Sequence, residues 1–326
     1  MVAISLIAMS RVGLVLGGGG ITGAAYHLGA LLAVEMATGW NPDDAEVVVG
    51  TSSGAVVAGL VRAGDLSLES LIGDAEGHAE VATTLADRLY RRTRLKGVVR
   101  WVRHGLAPGL RRPGLQLAVA SPARYTTAGI EEWLEERIGD LAHRWPSKPT
   151  IVPAYDVAAR ARVAFGTEGS PDTTLARAAA ASSAVPMVFA PVEIDGRLYV
   201  DGGLASGTSA DLVLGADPPL DLVIVSAPMA SHETRRGARL YESVLDRVGV
   251  VALDAEVERI HETWPECDVV VLRPDADVLE ETRPNPMGTH HAVPAFLETL
   301  RSMRRALAEP EVWRLLSAHL VVAGHR

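Results

Sequence analysis

The sequence has one cysteine, Cys267, no apolar run of about 18 residues, and fewer basic than acidic side chains. A single thiol excludes an internal disulfide and a multi-thiolate metal site, and carries no sign of an oxidising compartment. Beside the apolar stretch Val269–Leu272, Cys267 reads as a small core hydrophobe. The missing long apolar run excludes a membrane-spanning helix. With 31 Lys and Arg against 40 Asp and Glu the net charge is −9, which speaks against general affinity for nucleic acid. Met1–Ala8 is apolar, but no basic residue precedes it and no small-residue cleavage site follows, so no signal peptide is expected. These absences together lead us to expect a cytoplasmic protein, with at most peripheral contact at the inner face of a membrane. What is present is a globular composition: 48% hydrophobic against 22% charged over 326 residues, with 31 glycines and 19 prolines dispersed along the chain.

Val12–Leu16 is a short apolar run closed by four glycines, as expected of a buried strand ending in a tight loop. Gly23–Ala37 is apolar nearly throughout and predicts a buried helix stopped by Gly39, Asn41 and Pro42. Val47–Val49 predicts a second strand, and Ser53–Ala63 a second helix ended by Gly64. Strand, helix, strand, helix in so short a span implies a right-handed crossover and a parallel sheet. Further strands are expected at 150–157, 162–165, 222–225 and 269–272, and long helices at about 235–263 and 291–319. With no repeat and no linker, the economical reading is one α/β domain over residues 1–326, a three-layer sandwich with a mostly parallel central sheet.

Gly17–Gly23 lies between a predicted strand and a predicted helix, and Gly18, Gly20 and Gly23 fit a dinucleotide fingerprint. That reading wants an acidic residue at the end of the second strand, where this chain has Gly50-Thr51-Ser52. A phosphate loop would need a lysine that Gly23-Ala24-Ala25 does not supply. What remains is a row of backbone N–H groups at a helix N-terminus, suited to a negative oxygen, or else a tight turn that only lets helix pack on strand. At Gly19 a β-branched residue is expected to suffer from a positive φ.

Gly50-Thr51-Ser52-Ser53-Gly54 matches Gly-x-Ser-x-Gly between a strand and a helix. Small flanking residues permit a turn that exposes the Ser52 hydroxyl, although Thr51 or Ser53 as a helix cap would explain the same residues. A serine needs a base, and no histidine after Ser52 is clearly placed to be one. Asp201 ends an expected hairpin with arms Val192–Ile194 and Arg197–Val200, turning at Asp195-Gly196, and Gly202-Gly203 leave its carboxylate approachable. A turn aspartate bonded to its own backbone is the reading this segment favours when taken alone.

Taken together, Gly17–Gly23, Gly50–Gly54, the block Ala181-Ser182-Ser183-Ala184-Val185-Pro186 and Asp201-Gly202-Gly203 resemble the patatin-like phospholipase family over residues 11–226. The resemblance implies a lipid ester as substrate, Ser52 as nucleophile and Asp201 as base of a dyad, and an oxyanion held by the N–H groups of Gly18, Gly19 and Gly20. Gly50, Gly54, Gly202 and Gly203 would shape the two turns. It implies no metal and no cofactor. The family usually carries Arg or Lys just before the last glycine of the first motif, and this chain has Thr22, which makes phospholipid a less secure substrate than ester lipid. A histidine-dependent α/β-hydrolase esterase and a noncatalytic lipid-binding protein of the same fold are the alternatives.

Charge is segregated: residues 88–130 hold ten Lys or Arg and no Asp or Glu. On a helix Leu95, Val98, Val99, Val102 and Leu106 share one face, and Lys96, Arg100, Arg103 and His104 another. Such a segment suits a cap that docks on anionic membrane, and an ordinary solvated surface would look the same.

Overall fold

The computed structural model describes residues 10–67, 77–93, 123–235, 237, 240–283 and 285–320. The first half of the chain runs β1 (Val12–Leu16), α1 (Gly20–Thr38), β2 (Val47–Gly50), α2 (Ser53–Ala63), α3 (His78–Leu89), β3 (Arg91–Arg92), β4 (Tyr125–Thr126) and α4 (Ala128–Ile138). It continues with β5 (Thr150–Asp156), β6 (Ala161–Phe165), α5 (Leu175–Ser182), β7 (Val192–Ile194), β8 (Arg197–Asp201) and β9 (Leu222–Ser226). The last hundred residues add α6 (Leu240–Thr263), β10 (Asp268–Leu272), α7 (Ala276–Thr282), α8 (Ala292–Ala306) and α9 (Pro310–Leu320).

The central sheet has the order β10-β9-β1-β2-β5-β8-β7, with β6 also on β5. From β10 to β5 every pairing is parallel, whereas β6, β8 and β7 join antiparallel. The apolar runs look continuous in sequence because both faces are covered. Along β1, Val12, Leu14 and Leu16 enter one core and Val15 the other; Leu222 and Ile224 of β9 likewise part from Val223 and Val225. Helices α1, α2, α4, α5 and α8 contribute to the first core, and α6 with the 3₁₀ turn at Ala210–Gly215 to the second. The result is the expected three-layer α/β sandwich.

Two helix boundaries differ from expectation. Helix α1 begins at Gly20 rather than Gly23, so the last glycine of the run is already in its first turn. The pattern at 291–319 is two helices, because Pro310 lacks an N–H and suits the first position of a new helix rather than the interior of an old one. Among the described residues no helix is long and apolar enough to cross a membrane.

Candidate active site

Strands β1 and β2 are adjacent and parallel with Leu16 opposite Gly50, so the glycine loop and the Gly-x-Ser-x-Gly turn leave the sheet side by side at its carboxyl edge. The turn after β2 is tight enough to demand its glycines. A Cβ at Gly54 would lie 2.0 Å from the carbonyl oxygen of Leu16, and one at Gly50 would lie 2.5 Å from that of Gly54. Between them Ser52 sits at φ 53°, ψ −120°, a region that costs an L-residue about 1–3 kcal/mol. Its backbone N–H donates to Ser182 Oγ at 2.8 Å, and Ser182 Oγ donates to the Pro153 carbonyl at 2.6 Å. The serine block at 181–183 thus clamps the strained turn to β5.

The hairpin β7–β8 turns through Asp195 (φ 49°) and Gly196 (φ 71°), as a two-residue turn with both centres left-handed requires. It delivers Asp201 beside Ala154 of β5, where a Cβ on Gly202 would meet the Pro153 carbonyl at 2.3 Å. Ser52 Oγ donates to Asp201 Oδ2 at 2.7 Å, and the Gly203 N–H donates to Asp201 Oδ1 at 2.7 Å. Asp201 is therefore both the turn aspartate and the partner of the serine, with one oxygen in each part. Burial pushes its carboxyl up to about 6, against the opposing pull of those two donors. Among the described residues no imidazole bonds to Ser52 or Asp201, and no group of three or more His, Cys, Asp or Glu side chains is arranged to hold a metal ion.

In the glycine loop the expectations need correction. The Gly18 N–H donates to the Gly207 carbonyl at 2.7 Å, so it is already partnered. Gly19 and Gly20, at the N-terminus of α1, show no backbone acceptor among the described residues. Gly19 is extended at φ 178°, open to any residue in backbone terms; what limits it is crowding, since a Cβ there would lie 2.8 Å from Gly23 Cα and 2.8 Å from Pro228 Cγ. The positive φ belongs to Gly20 at 65°, where a Cβ would also lie 2.5 Å from the Pro286 carbonyl. Thr22 is buried and its hydroxyl faces the Thr282 and Pro286 carbonyls, so position 22 brings no charge to the site.

His27 escaped the reading of the sequence, hidden as one polar residue in an apolar helix. Fully buried, it lies between Ser226 Oγ, 2.7 Å from Nδ1, and the Gly17 carbonyl, 2.6 Å from Nε2. Burial holds its imidazole down at about 4, so it is neutral, donating from Nε2–H to Gly17 and accepting from Ser226. It fixes the start of the glycine loop.

Ser52 opens onto an apolar cavity of about 80 Å³ whose walls include Ile21, Leu28, Leu60, Leu85, Trp133 and Phe189. At its rim Tyr90 stacks on Phe189, with ring centroids 5.9 Å apart, and donates its hydroxyl to the Met287 carbonyl. Lys96, Arg100 and Arg103 lie outside the described residues. The described residues that flank their segment meet next to these rings: the Thr93 N–H donates to the Arg124 carbonyl at 3.1 Å, β3 pairs with β4, and the Tyr125 ring lies 5.0 Å from that of Tyr90. Arg88 and Arg91 of the basic block are paired with Glu136 and Glu132 of α4.

The crystal structure of VipD from Legionella pneumophila is similar to this chain with a TM-score of 0.35 and 11% identity, over 90% of this chain and 67% of that one. The sequence model of the patatin-like phospholipase family matches residues 14–214, a span that contains the glycine loop, the serine turn and the Asp-Gly-Gly turn. By that match, across most of the chain and all three turns, the protein belongs to the patatin-like phospholipase family.

Proposed function

We propose that the chain is a serine acyl hydrolase that cleaves ester bonds of lipids with Ser52 as nucleophile and Asp201 as its base. Membership of the family supports lipid acyl hydrolysis in general. The observation that carries the finer reading is the 2.7 Å bond from Ser52 Oγ, on a strained turn, to a buried carboxylate. In this reading Ser52 Oγ attacks the ester carbonyl carbon and its proton passes to Asp201 Oδ2. The negative oxygen of the tetrahedral intermediate lies against the N–H groups of Gly19 and Gly20 at the positive end of α1. Collapse breaks the ester C–O bond, the leaving alkoxide takes the proton from Asp201, and the acyl group stays on Ser52. Water then gives its proton to the same carboxylate, attacks the acyl carbon, and collapse frees the fatty acid as Ser52 takes the proton back. A carboxyl near 6 is a stronger base than a solvated aspartate at about 3.9, yet is ionised at neutral pH.

The apolar cavity supports an acyl chain as the part of the substrate that is bound. Because Thr22 supplies no cation, ester lipid in general fits better than an anionic head group. We read residues 1–326 as one catalytic unit, since β9 pairs directly with β1, and the basic segment as a cap that contacts anionic membrane, since the described residues that flank it meet next to the rings at the cavity rim. A lipid-panel hydrolysis assay on the wild type and Ser52→Ala, with fluorophosphonate labelling, tests the function. Labelling and hydrolysis that both vanish in Ser52→Ala support it; a wild type that neither labels nor hydrolyses any ester leaves a lipid-binding protein of the same fold.

A further inference from the structure

We propose that Glu256, on α6 and outside the span matched by the family, is a positioning residue that sets the glycine loop and the nucleophile turn at their working separation; this rests on the reading of Ser52 as nucleophile. Glu256 is 7% exposed. Its Oε1 accepts from Ser206 Oγ at 2.5 Å, and its Oε2 accepts from Thr208 Oγ1 at 2.6 Å and from the Ala210 N–H at 2.8 Å. Ser206 Oγ in turn accepts from the N–H groups of Ser209 at 2.9 Å and Thr208 at 3.2 Å. Residues 206–210 are thus wound around one carboxylate, and among the described residues no Lys or Arg forms an ion pair with it.

The same segment reaches both halves of the site. Its Gly207 carbonyl accepts the Gly18 N–H at 2.7 Å, next to the N–H groups of Gly19 and Gly20, which have no backbone acceptor among the described residues. Its Thr208 carbonyl accepts from Thr51 Oγ1 at 3.2 Å, one residue before Ser52. The Arg162 guanidinium, paired directly with Asp211, acts on Glu256 only through space; with no direct ion pair the buried carboxylate is costly, and an apolar side chain would fill the space at less cost. What only a carboxylate offers is acceptor capacity with no donor, which satisfies three donors from one short segment and fixes the direction of its carbonyls. Electrostatic help to an oxyanion depends on donors standing where the charge develops, so a displaced Gly18 displaces the N–H groups beside it.

The test compares the full-length wild type with Glu256→Gln and Glu256→Ala. Readouts are steady-state hydrolysis of a soluble ester, thermal melting, and hydrogen exchange of the peptide over residues 17–20. With Glu256→Ala, kcat per folded molecule is expected to fall roughly 100-fold, the order that follows a misplacement of about 1 Å, with KM and the pH profile little changed. Glu256→Gln, with one acceptor oxygen left, should fall between, and exchange at 17–20 should rise well above that of the β5 peptide. Wild-type kcat in the folded fraction of both variants, or exchange at 17–20 that rises only with global unfolding, would overturn the proposal. A wild type with no hydrolysis and no labelling removes the proposed function instead, and the exchange measurement still decides whether Glu256 holds the loop.

Discussion

Ser52 and Asp201 stand 149 residues apart in the chain and 2.7 Å apart in space, joined Oγ to Oδ2 where a strained turn after β2 meets the end of β8. The contact is supported from behind by Ser182, which accepts the Ser52 N–H, and by Gly203, which donates to the other carboxylate oxygen. Each group has its bonding capacity directed, so under the proposed mechanism removing either member should leave a site that keeps its shape and loses its chemistry. Ser52→Ala and Asp201→Asn should each lower kcat by several orders of magnitude with the fold retained, as for residues that act as one unit. Asp201→Asn turning over near the wild-type rate would sink the dyad, and loss of activity on replacing a single histidine would point to the histidine-dependent alternative.

If Asp201 is the base, as proposed, hydrolysis should decline as pH falls through about 6, where its carboxylate takes up a proton. The same raised carboxyl means that ionised Asp201 opposes folding at neutral pH: its favourable contribution is complete only below its unfolded value of 3.8 and is lost as pH rises through about 6. The shift corresponds to about 3 kcal/mol, so Asp201→Asn should melt several degrees above the wild type at pH 7.5, with the advantage gone near pH 4. His27 works in the other direction. Neutral in the fold with its value held at about 4, it stabilises above 6.5 and that contribution is lost as pH falls toward 4. Asp201→Asn, with the opposing Asp201 dependence removed, should therefore show the steeper loss of stability between pH 6.5 and 4; equal slopes by chemical denaturation would contradict this.

Gly20→Val should reduce hydrolysis more than Gly19→Val, because of these two Gly20 alone combines a left-handed backbone with a close carbonyl neighbour. Both variants should label more slowly with fluorophosphonate. Tight, saturable binding of NAD or ATP in calorimetry would show that the loop serves a nucleotide instead.

The cavity beside Ser52 has about 80 Å³, less than the roughly 150 Å³ that admits benzene, so under the proposed function it would house the first carbons of an acyl chain rather than a whole one. In a series of soluble esters a short acyl chain should be turned over faster than a long one. Trp133→Ala should move the optimum toward longer chains by opening one wall. An unchanged chain-length profile would place the acyl group elsewhere.

Replacing Lys96, Arg100 and Arg103 by Glu should weaken binding to anionic vesicles and hydrolysis of vesicle lipid while sparing a short soluble ester. Each basic residue near such a surface contributes about 1 kcal/mol, an attraction that fades with salt. Absence of vesicle binding by the wild type at low salt, or no change in the triple variant, makes the segment ordinary surface.

Much of this site was legible in the chain because its parts are local. Glycines at 17–20, 50 and 54 announce turns that only small residues can make, and Asp195-Gly196 between apolar arms announces a hairpin, since both follow from backbone sterics within a few residues. The apolar runs of β1, β2 and β9 were readable as buried strands because covering on both faces removes the alternation that a half-exposed strand would show. The tertiary structure alone decided which N–H groups are partnered: Gly18 looks like its neighbours in sequence, yet it is satisfied by Gly207, nearly two hundred residues away. His27 and Glu256 were silent for the same reason. Each is a single polar residue on a helix, and its meaning lies in hydrogen bonds to segments that only folding brings within 3 Å. Sequence spacing records where the backbone must turn; the partners of a buried polar group depend on distances across the fold, which no spacing encodes.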